Sequence, residues 1–230
     1  PEDIGLQPDN GASPPASRRS GVTAATEQSY TLGEALRTWR LWIVLLAIAC
    51  GSYSLGANTF VLVPYYEEIG FSSAIAASAL SLYGFTSILT RYVWGQFADR
   101  FSVRPAIIVQ SLLTAAAGLL LLQIDSRISL YAITGLQGIA LSGFPTLQSL
   151  VWPEFFGRRH IGAIVGLTQL FTTLASASGP LIGGIIFDRT GTYEVTIWAF
   201  VVTWIACAVV IFAVRPTRHV EQVVVSVIEA

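Results

Sequence analysis

Six long apolar stretches constrain the fold of this chain more than any other feature of its sequence. They lie at about residues 41–64, 74–97, 105–124, 128–150, 161–186 and 195–214. Each is long enough to cross a bilayer, whose hydrocarbon core takes roughly 20 mainly apolar residues of a helix. Only 12% of the 230 residues are charged, about half the share in a typical soluble domain. The chain is therefore predicted to be a polytopic membrane protein.

The backbone of these stretches is predicted to be α-helical. Within a bilayer every backbone N–H and C=O needs a partner inside the protein, so only helices and closed barrels cross it. The sequence lacks the alternating ten-residue segments of barrel strands. We expect an all-α membrane protein with three parts. These are a polar cytoplasmic linker at 1–36, a bundle of six transmembrane helices at 37–215 and a cytoplasmic tail at 216–230.

The orientation of the bundle follows from its arginines, which provide all 13 basic residues other than histidine. Nine arginines near span ends lie on the side of the linker, whereas Arg127 and Arg189 lie on the other side. Basic residues accumulate on the cytoplasmic side of membrane proteins. Both termini are therefore predicted to be cytoplasmic, in a multi-pass protein of the plasma or inner membrane. The nine are Arg37, Arg40, Arg91, Arg100, Arg104, Arg158, Arg159, Arg215 and Arg218.

A short motif occurs twice, at the ends of the second and fifth spans. Gly95-x-x-x-Asp99-Arg100 returns as Gly184-x-x-x-Asp188-Arg189, with Asp188 89 residues after Asp99. Because a unit of three spans is odd, the second copy has to be inverted across the membrane. Inverted three-plus-three repeats are a construction principle of secondary transporters. The six helices are predicted to form such a 3+3 inverted repeat, and chance is the alternative because the match rests on three identities.

The first motif copy extends into a pattern that resembles the major facilitator superfamily. The signature loop of that family runs Gly-x-x-x-Asp-Arg-x-Gly-Arg-Lys. The matching residues here are Gly95, Asp99, Arg100 and Arg104. The loop departs from the pattern at Ser102, where the family usually has glycine, and at Val103, where it often has a basic residue.

Three further stretches carry the same resemblance, at residues 1–9, 155–162 and 179–193. Together they resemble the second six-helix half of a transporter of the monocarboxylate and oxalate/formate type. The resemblance implies that this bundle is half of a twelve-helix transporter and pairs with an N-terminal half outside the present sequence. It also implies a small organic anion as substrate, with H⁺ or a counter-transported anion as the coupled species.

Arg91 is the sharpest candidate for substrate chemistry. It precedes Asp99 by eight residues, about 12 Å along a helix, which places it inside the predicted span. A charged side chain there marks a substrate or ion pathway by default, and the guanidinium fork suits bidentate binding of a carboxylate. The resemblance implies that an arginine four residues before Gly95 anchors the carboxylate. The alternative is a side chain that snorkels to the cytoplasmic headgroups.

Other polar residues within the spans are candidates for the same pocket. Tyr83 shares a helix face with Arg91 because they are eight residues apart, and its alternative role is packing. The remaining candidates can line a cavity or hydrogen-bond between helices. They are Asn58, Gln137, Gln148 and Gln169. No lysine or arginine occurs between Ile161 and Phe187, where the resemblance implies a second cation in oxalate exchangers, so one carboxylate is favoured over two.

The motif residues are predicted to gate the pocket. An aspartate can cap the positive end of a neighbouring helix dipole, and arginines can pair with nearby acids to latch one conformation. The alternative for this loop is a solvated basic turn that only fixes topology. The predicted gating residues are Gly95, Asp99, Arg100, Arg104, Asp188 and Arg189.

The leading hypothesis for function is secondary transport of a small monocarboxylate by alternating access. A receptor or scaffold that kept the fold and lost transport is the alternative. An enzyme is not expected, because the sequence has no zinc motif, nucleophile elbow or paired midplane acids. Cofactors, metals and nucleic acids are not expected as ligands. Every acid of the bundle lies at a span end or in a loop, so proton coupling would need a group from the other half.

Overall fold

A computed structural model describes residues 30–157 and 160–214. Eight helices and no strands occur in these ranges, which confirms the all-α prediction. The helices are α1 Leu32–Arg37, α2 Trp39–Glu68, α3 Ser73–Phe101, α4 Val103–Leu121, α5 Arg127–Leu141, α6 Gly143–Phe156, α7 Ile161–Thr190 and α8 Glu194–Ala213. Five of them, α2, α3, α4, α7 and α8, are long and apolar enough to cross a membrane. They match the first, second, third, fifth and sixth predicted spans.

The fourth predicted span, 128–150, is two consecutive helices instead of one. Helix α5 ends at Leu141 and α6 begins at Gly143, with Ser142 between them. The carbonyl of Ile139 accepts hydrogen bonds from the Ser142 hydroxyl at 2.8 Å and from the indole of Trp94 at 2.9 Å. In a continuous helix this carbonyl would pair with the Gly143 N–H. Pro145 also contributes, because it has no N–H to donate to the Leu141 carbonyl. Ser142 keeps helical dihedral angles, φ −59° and ψ −25°, so the interruption is a local break in the hydrogen-bond ladder of one span.

A short helix, α1, lies at the end of the predicted linker. Thr31 caps it, since the Glu34 N–H donates to Thr31 Oγ1 at 3.4 Å and the Thr31 N–H donates to Glu34 Oε2 at 2.9 Å. The hydrogen bonds from Thr31 lower the pKa of Glu34 from its ordinary value. Tyr30 donates its backbone N–H to the Phe156 carbonyl at 3.0 Å. The rest of the predicted linker and the predicted tail at 216–230 lie outside the described residues.

The helices pack in three main pairs, α2 with α7, α3 with α5 and α4 with α8. Helix α2 also packs on α8, and α4 also packs on α5 and α6. The centre of the larger apolar cluster is filled by Phe144 and Trp204, whose rings meet edge to face at 5.1 Å. The core therefore lies between α2, α4, α6 and α8, and leaves α3 and α7 at its margin.

The exposed faces of the helices differ in chemistry. The exposed face of α8 is a stripe of large apolar side chains at spacings of three and four residues, which suits contact with lipid. Its residues are Val195, Trp198, Val202, Ile205, Val209 and Phe212. Helices α3 and α7 are mostly exposed, and their exposed sides mix apolar residues with Arg91, Gln96, Gln169 and Thr173. Polar and charged groups within spans usually face protein or water instead of lipid.

Candidate substrate-binding site

The six residues predicted to bind substrate fall into two groups in the structure. The first group surrounds the contact of α2, α3 and α5 and consists of Asn58, Tyr83, Arg91 and Gln137. The second group lines a groove beside α2, α6 and α7 and consists of Gln148 and Gln169. Helix α6 contacts both α3 and α7, and therefore lies between the helices that carry Arg91 and Gln169.

Asn58 and Gln137 form a buried amide pair between α2 and α5. Gln137 Nε2 donates to Asn58 Oδ1 at 2.6 Å, and the two residues are 6% and 0% exposed. Within the described part of the chain, Asn58 Nδ2 and Gln137 Oε1 have no hydrogen-bond partner. A buried polar atom without a partner costs about 1–3 kcal/mol. The pair is thus an interhelical contact that keeps one free donor and one free acceptor.

Tyr83 connects this pair to Arg91 along α3. Its side chain is half-buried and lies against Ser87 and Asn58, and Arg91 follows about two helical turns later on α3. The Ser87 hydroxyl donates to the Gly138 carbonyl of α5 at 3.0 Å. Arg91 itself is exposed. The predicted shared face is therefore packed against α5 at Ser87 and open to the surroundings at Arg91.

The groove of the second group has a volume of about 510 Å³. It is lined by neutral side chains, and none of its lining residues is charged. The lining is Ser52, Leu55, Gly56, Phe60, Gln148, Gln169, Thr172, Thr173, Ser176, Ala177 and Pro180. Gln169 Nε2 donates to Thr173 Oγ1 at 3.3 Å, which orients the amide along α7. A groove of this size and chemistry suits an uncharged, hydrogen-bonding portion of a small ligand.

The signature loop turns at Ser102, the residue that replaces the family's glycine. Ser102 has φ +72° and ψ 162°, a region that only glycine adopts readily. The residue ends α3 and precedes α4, so the strain lies at the turn between the two helices. The structure thus gives a physical reason for glycine at this position of the family pattern.

Arg104 caps the end of α8. Its Nε donates to the Ile211 carbonyl at 3.2 Å, and its terminal nitrogen donates to the Phe212 carbonyl. The guanidinium also lies 5.7 Å from the centre of the Phe212 ring. A positive charge at the carboxyl end of a helix interacts favourably with the helix dipole. Arg104 therefore pairs with backbone carbonyls, whereas an acid was the expected partner.

The other motif residues remain at the surface. Asp99 and Arg100 are exposed, and the Arg100 guanidinium lies 5.8 Å from the centre of the Phe101 ring. In the second motif copy Asp188 and Arg189 are exposed at the end of α7. Gly95 and Gly184 are half-buried within their helices. Apart from Arg104, the charged motif residues thus stand where another surface can reach them.

Two glutamates that the sequence reading did not single out close the ends of helices. Glu154 Oε2 accepts the Val103 N–H at the start of α4 at 3.1 Å. Glu68 Oε2 accepts the Tyr193 N–H at the start of α8 at 3.0 Å. Glu154 lies beyond the predicted end of the fourth span, and partial removal from water raises the pKa of its carboxyl group. The sequence showed that both glutamates lie at span ends. It could not show their partners, which are distant along the chain.

Comparisons with known proteins agree with this architecture. A family model described as Major Facilitator Superfamily matches residues 14–229. An uncharacterized MFS-type transporter of Mycobacterium tuberculosis is 26% identical over 181 residues, which are 78% of this chain and 41% of that protein. Monocarboxylate transporter 12-B of Danio rerio is 25% identical over 184 residues, 76% of this chain and 39% of that protein.

A multidrug transporter protein of Bacillus subtilis is 23% identical over 142 residues, 59% of this chain and 26% of that protein. The chain spans about two fifths of the length of the Mycobacterium and Danio relatives. The family match covers most of the chain, and the apolar helices fit its membrane fold. This is an integral, multi-pass membrane protein, and it belongs to the Major Facilitator Superfamily.

Proposed function

We propose that this chain is the second six-helix half of a secondary transporter that carries a small monocarboxylate by alternating access. The observation that carries the proposal is an exposed arginine, Arg91, about two helical turns from Tyr83 on α3, where Tyr83 lies against the buried pair of Asn58 and Gln137. A relative named as a monocarboxylate transporter supports it. The open face of α3 and α7 is the surface that the N-terminal half would cover.

The carboxylate of the substrate binds Arg91 in this proposal. A guanidinium makes two parallel, charge-assisted hydrogen bonds to a carboxylate, which are stronger than bonds between neutral groups. Asn58 Nδ2, a buried donor without a partner in the described residues, and the Tyr83 hydroxyl are the groups that would donate further hydrogen bonds to the carboxylate. The free atom of Gln137 is an acceptor and would not bind it. The neutral groove at Gln148 and Gln169 accepts the uncharged part of the substrate. One cation and a neutral groove favour one carboxylate over two.

The 3+3 inverted repeat is part of the same proposal, and the helix contacts support it. If the first three spans exchange places with the last three, the contact of α2 with α7 becomes the contact of α5–α6 with α3, and both contacts occur. The same exchange relates the Glu68–Tyr193 contact to the Glu154–Val103 contact. Each glutamate ends the first span of one repeat and caps the third span of the other.

The signature loops act as gates in this scheme. Asp99 and Arg100 contact the N-terminal half on the cytoplasmic side when the pocket is closed there, and Asp188 and Arg189 occupy the corresponding place outside. Arg104 holds α8 in place. A Cβ atom on Gly95 would meet only the Thr146 methyl, at 3.9 Å, so Gly95 acts in this scheme through the surface that it offers to the N-terminal half. Both termini of the chain are cytoplasmic. The coupled species is H⁺ or a counter-transported anion.

Export of an uncharged or cationic drug is a second candidate function. The neutral lining of the groove and the name of the Bacillus relative favour it. A receptor or scaffold without transport is the third. Neither drug export nor a receptor function requires a carboxylate to bind Arg91. Transport assays of Arg91 variants therefore distinguish the three candidate functions.

The test uses the full-length protein that contains this chain, reconstituted in liposomes, with radiolabelled acetate, lactate and pyruvate as probes. Arg91→Gln and Arg91→Lys should each lower uptake at least about tenfold, because both lose the bidentate fork. Arg127→Gln is the matched control, since Arg127 is an exposed arginine at the start of α5. Unchanged uptake in Arg91→Gln overturns the anchor. Drug efflux without carboxylate uptake favours the second candidate, and no transport of either kind favours the third.

A further inference from the structure

Three side chains of α3 bind the interrupted region between α5 and α6. The Ser87 hydroxyl donates to the Gly138 carbonyl, and the Trp94 indole donates to the Ile139 carbonyl. The Thr90 and Ser142 hydroxyl oxygens lie 2.9 Å apart, and a hydrogen bond joins them when either hydroxyl turns its proton away from its backbone carbonyl. Residues 87, 90 and 94 share one helix face at spacings of three and four. One face of α3 therefore makes polar contacts with the chain at residues 138–142, where α5 ends and α6 begins.

The backbones of the two helices also approach closely here. A Cβ atom on Gly143 would lie 2.7 Å from the Trp94 ring, and one on Gly138 would lie 2.5 Å from the Tyr83 carbonyl oxygen. Both distances are too short for a side chain, so these positions accept only glycine at the present spacing. The Trp94 indole is 8% exposed and is held between the glycine contact and its hydrogen bond. Its position relative to α5 and α6 is therefore well defined.

Arg91 lies on α3 between two of these contacts. It follows Thr90 directly and precedes Trp94 by three residues. Each residue turns a helix by about 100°, so Arg91 projects from the edge of the packed face and remains exposed. The contacts of Thr90 and Trp94 set the height and the rotation of α3, and with them the place of the guanidinium. Helix α6, which begins at the interruption, carries Gln148 in the groove.

We propose that Trp94 is a positioning residue for substrate binding, with Thr90 as its partner. Through the Ile139 carbonyl and Ser142, the two residues hold Arg91 in register with α6. This inference rests on the proposed function, because Arg91 has to be the carboxylate anchor for its position to matter. It extends that function to side chains that do not touch the substrate.

The first test is Trp94→Phe, which removes the indole N–H and keeps an aromatic ring. In the liposome assay, KM for radiolabelled lactate should rise about three- to tenfold, the worth of one hydrogen bond, while Vmax and protein abundance stay unchanged. Trp42→Phe is the matched control. The Trp42 indole also donates to a backbone carbonyl, that of Leu36 at 3.0 Å, but it lies outside both groups of site residues.

A second variant covers the case in which Trp94→Phe does not fold. Thr90→Val keeps the shape of the side chain and removes the contact to Ser142, so KM should rise here too. Thr203→Val is its control, because Thr90 and Thr203 each donate to the carbonyl four residues earlier, and Thr203 lies on α8. Kinetics equal to those of the controls overturn the inference. Normal uptake by Arg91→Gln overturns the proposed function instead, whatever the Trp94 variant does.

Discussion

Glu154 accepts a hydrogen bond from the backbone N–H of Val103 at 3.1 Å, and this contact fastens the end of α6 to the start of α4. The first backbone N–H groups of a helix have no partner within the helix, so a carboxylate from elsewhere satisfies one of them. Val103 is buried and adjoins the strained residue Ser102. The turn of the signature loop is therefore held from outside, by a side chain of another span.

Two replacements of Glu154 should show whether its hydrogen bond or its charge stabilises the protein. Burial raises the pKa of Glu154, whereas the hydrogen bond from the Val103 N–H lowers it, and an amide oxygen can accept the same hydrogen bond without a charge. We expect Glu154→Gln to keep the wild-type Tm in detergent, and Glu154→Ala to lose about 1 kcal/mol, the usual worth of a helix cap. Glu67→Ala, at an exposed glutamate of α2, serves as control. Equal losses for the Gln and Ala variants would contradict this account.

Ser102→Gly should stabilise the protein. The positive φ of Ser102 costs about 1–3 kcal/mol in a residue other than glycine, and glycine removes that cost. A higher Tm is the expected result, by scanning fluorimetry of the purified protein. The same substitution at Ser149, inside α6 and exposed, should lower Tm, since glycine in a helix interior is about 1 kcal/mol less favourable than alanine and serine lies between them. If both variants lower Tm, the strain at Ser102 is not real.

The amide pair of Asn58 and Gln137 should show energetic coupling. Either alanine substitution leaves the other buried amide without its partner, so each single variant pays for the same lost hydrogen bond. The double variant should therefore be more stable than the sum of the single losses predicts, by about 0.6–1.7 kcal/mol, as for hydrogen bonds between membrane helices. Asn58→Ala with Gln148→Ala is the control pair, and its effects should add. Additive effects for Asn58 and Gln137 would argue against the contact.

Arg104→Ala should loosen the end of α8. The variant loses hydrogen bonds to two carbonyls and a favourable charge at the helix end, and we expect a loss of about 1 kcal/mol. Hydrogen exchange of the peptide that ends at Ala213 should accelerate. Arg100→Ala removes an exposed arginine that lies over Phe101 and should leave this peptide unchanged. Protection of α8 that survives Arg104→Ala would count against the cap.

Low pH should destabilise helix α1. The hydrogen bonds from Thr31 lower the pKa of Glu34 from the ordinary value of 4.5. The stability that the ionised carboxylate contributes is therefore present above pH 4.5 and is lost as pH falls through the lowered value. Hydrogen exchange across residues 32–37 should accelerate in that window. Glu34→Gln should remove the pH dependence, and an unchanged acid response in this variant would assign it to another group.

Hydropathy was sufficient to predict five of the spans, because a helix in lipid needs a length of apolar sequence that few other structures require. It was not sufficient for the fourth span. Hydropathy does not register Pro145, which has no N–H for the Leu141 carbonyl. It also counts the Trp94 indole only as apolar, although this side chain, more than 40 residues away, binds the Ile139 carbonyl. Contacts between a side chain and a distant carbonyl leave no periodic trace in a sequence.

The sequence identified charged and polar candidate residues but not their partners, because those partners are distant along the chain. The motif identified the loop at Gly95 to Arg104. It did not show that Arg104 would bind carbonyls of α8, because every residue has a backbone carbonyl and residue types therefore do not reveal which one is bound. Asn58 and Gln137 were recognised as polar residues in apolar spans, and both possible roles remained open. Their direct contact, a hydrogen bond from α5 to α2, is visible only in the structure.

The contact of Tyr30 with Phe156 gives the chain that enters the bundle a second point of attachment. The Tyr30 N–H binds the Phe156 carbonyl, and the two rings pack edge to face at 5.9 Å. A force applied to the entering chain therefore reaches the end of α6 before it reaches the start of α2. Tension on the chain at Tyr30 would thus act directly on the helix that carries Gln148, a lining residue of the groove.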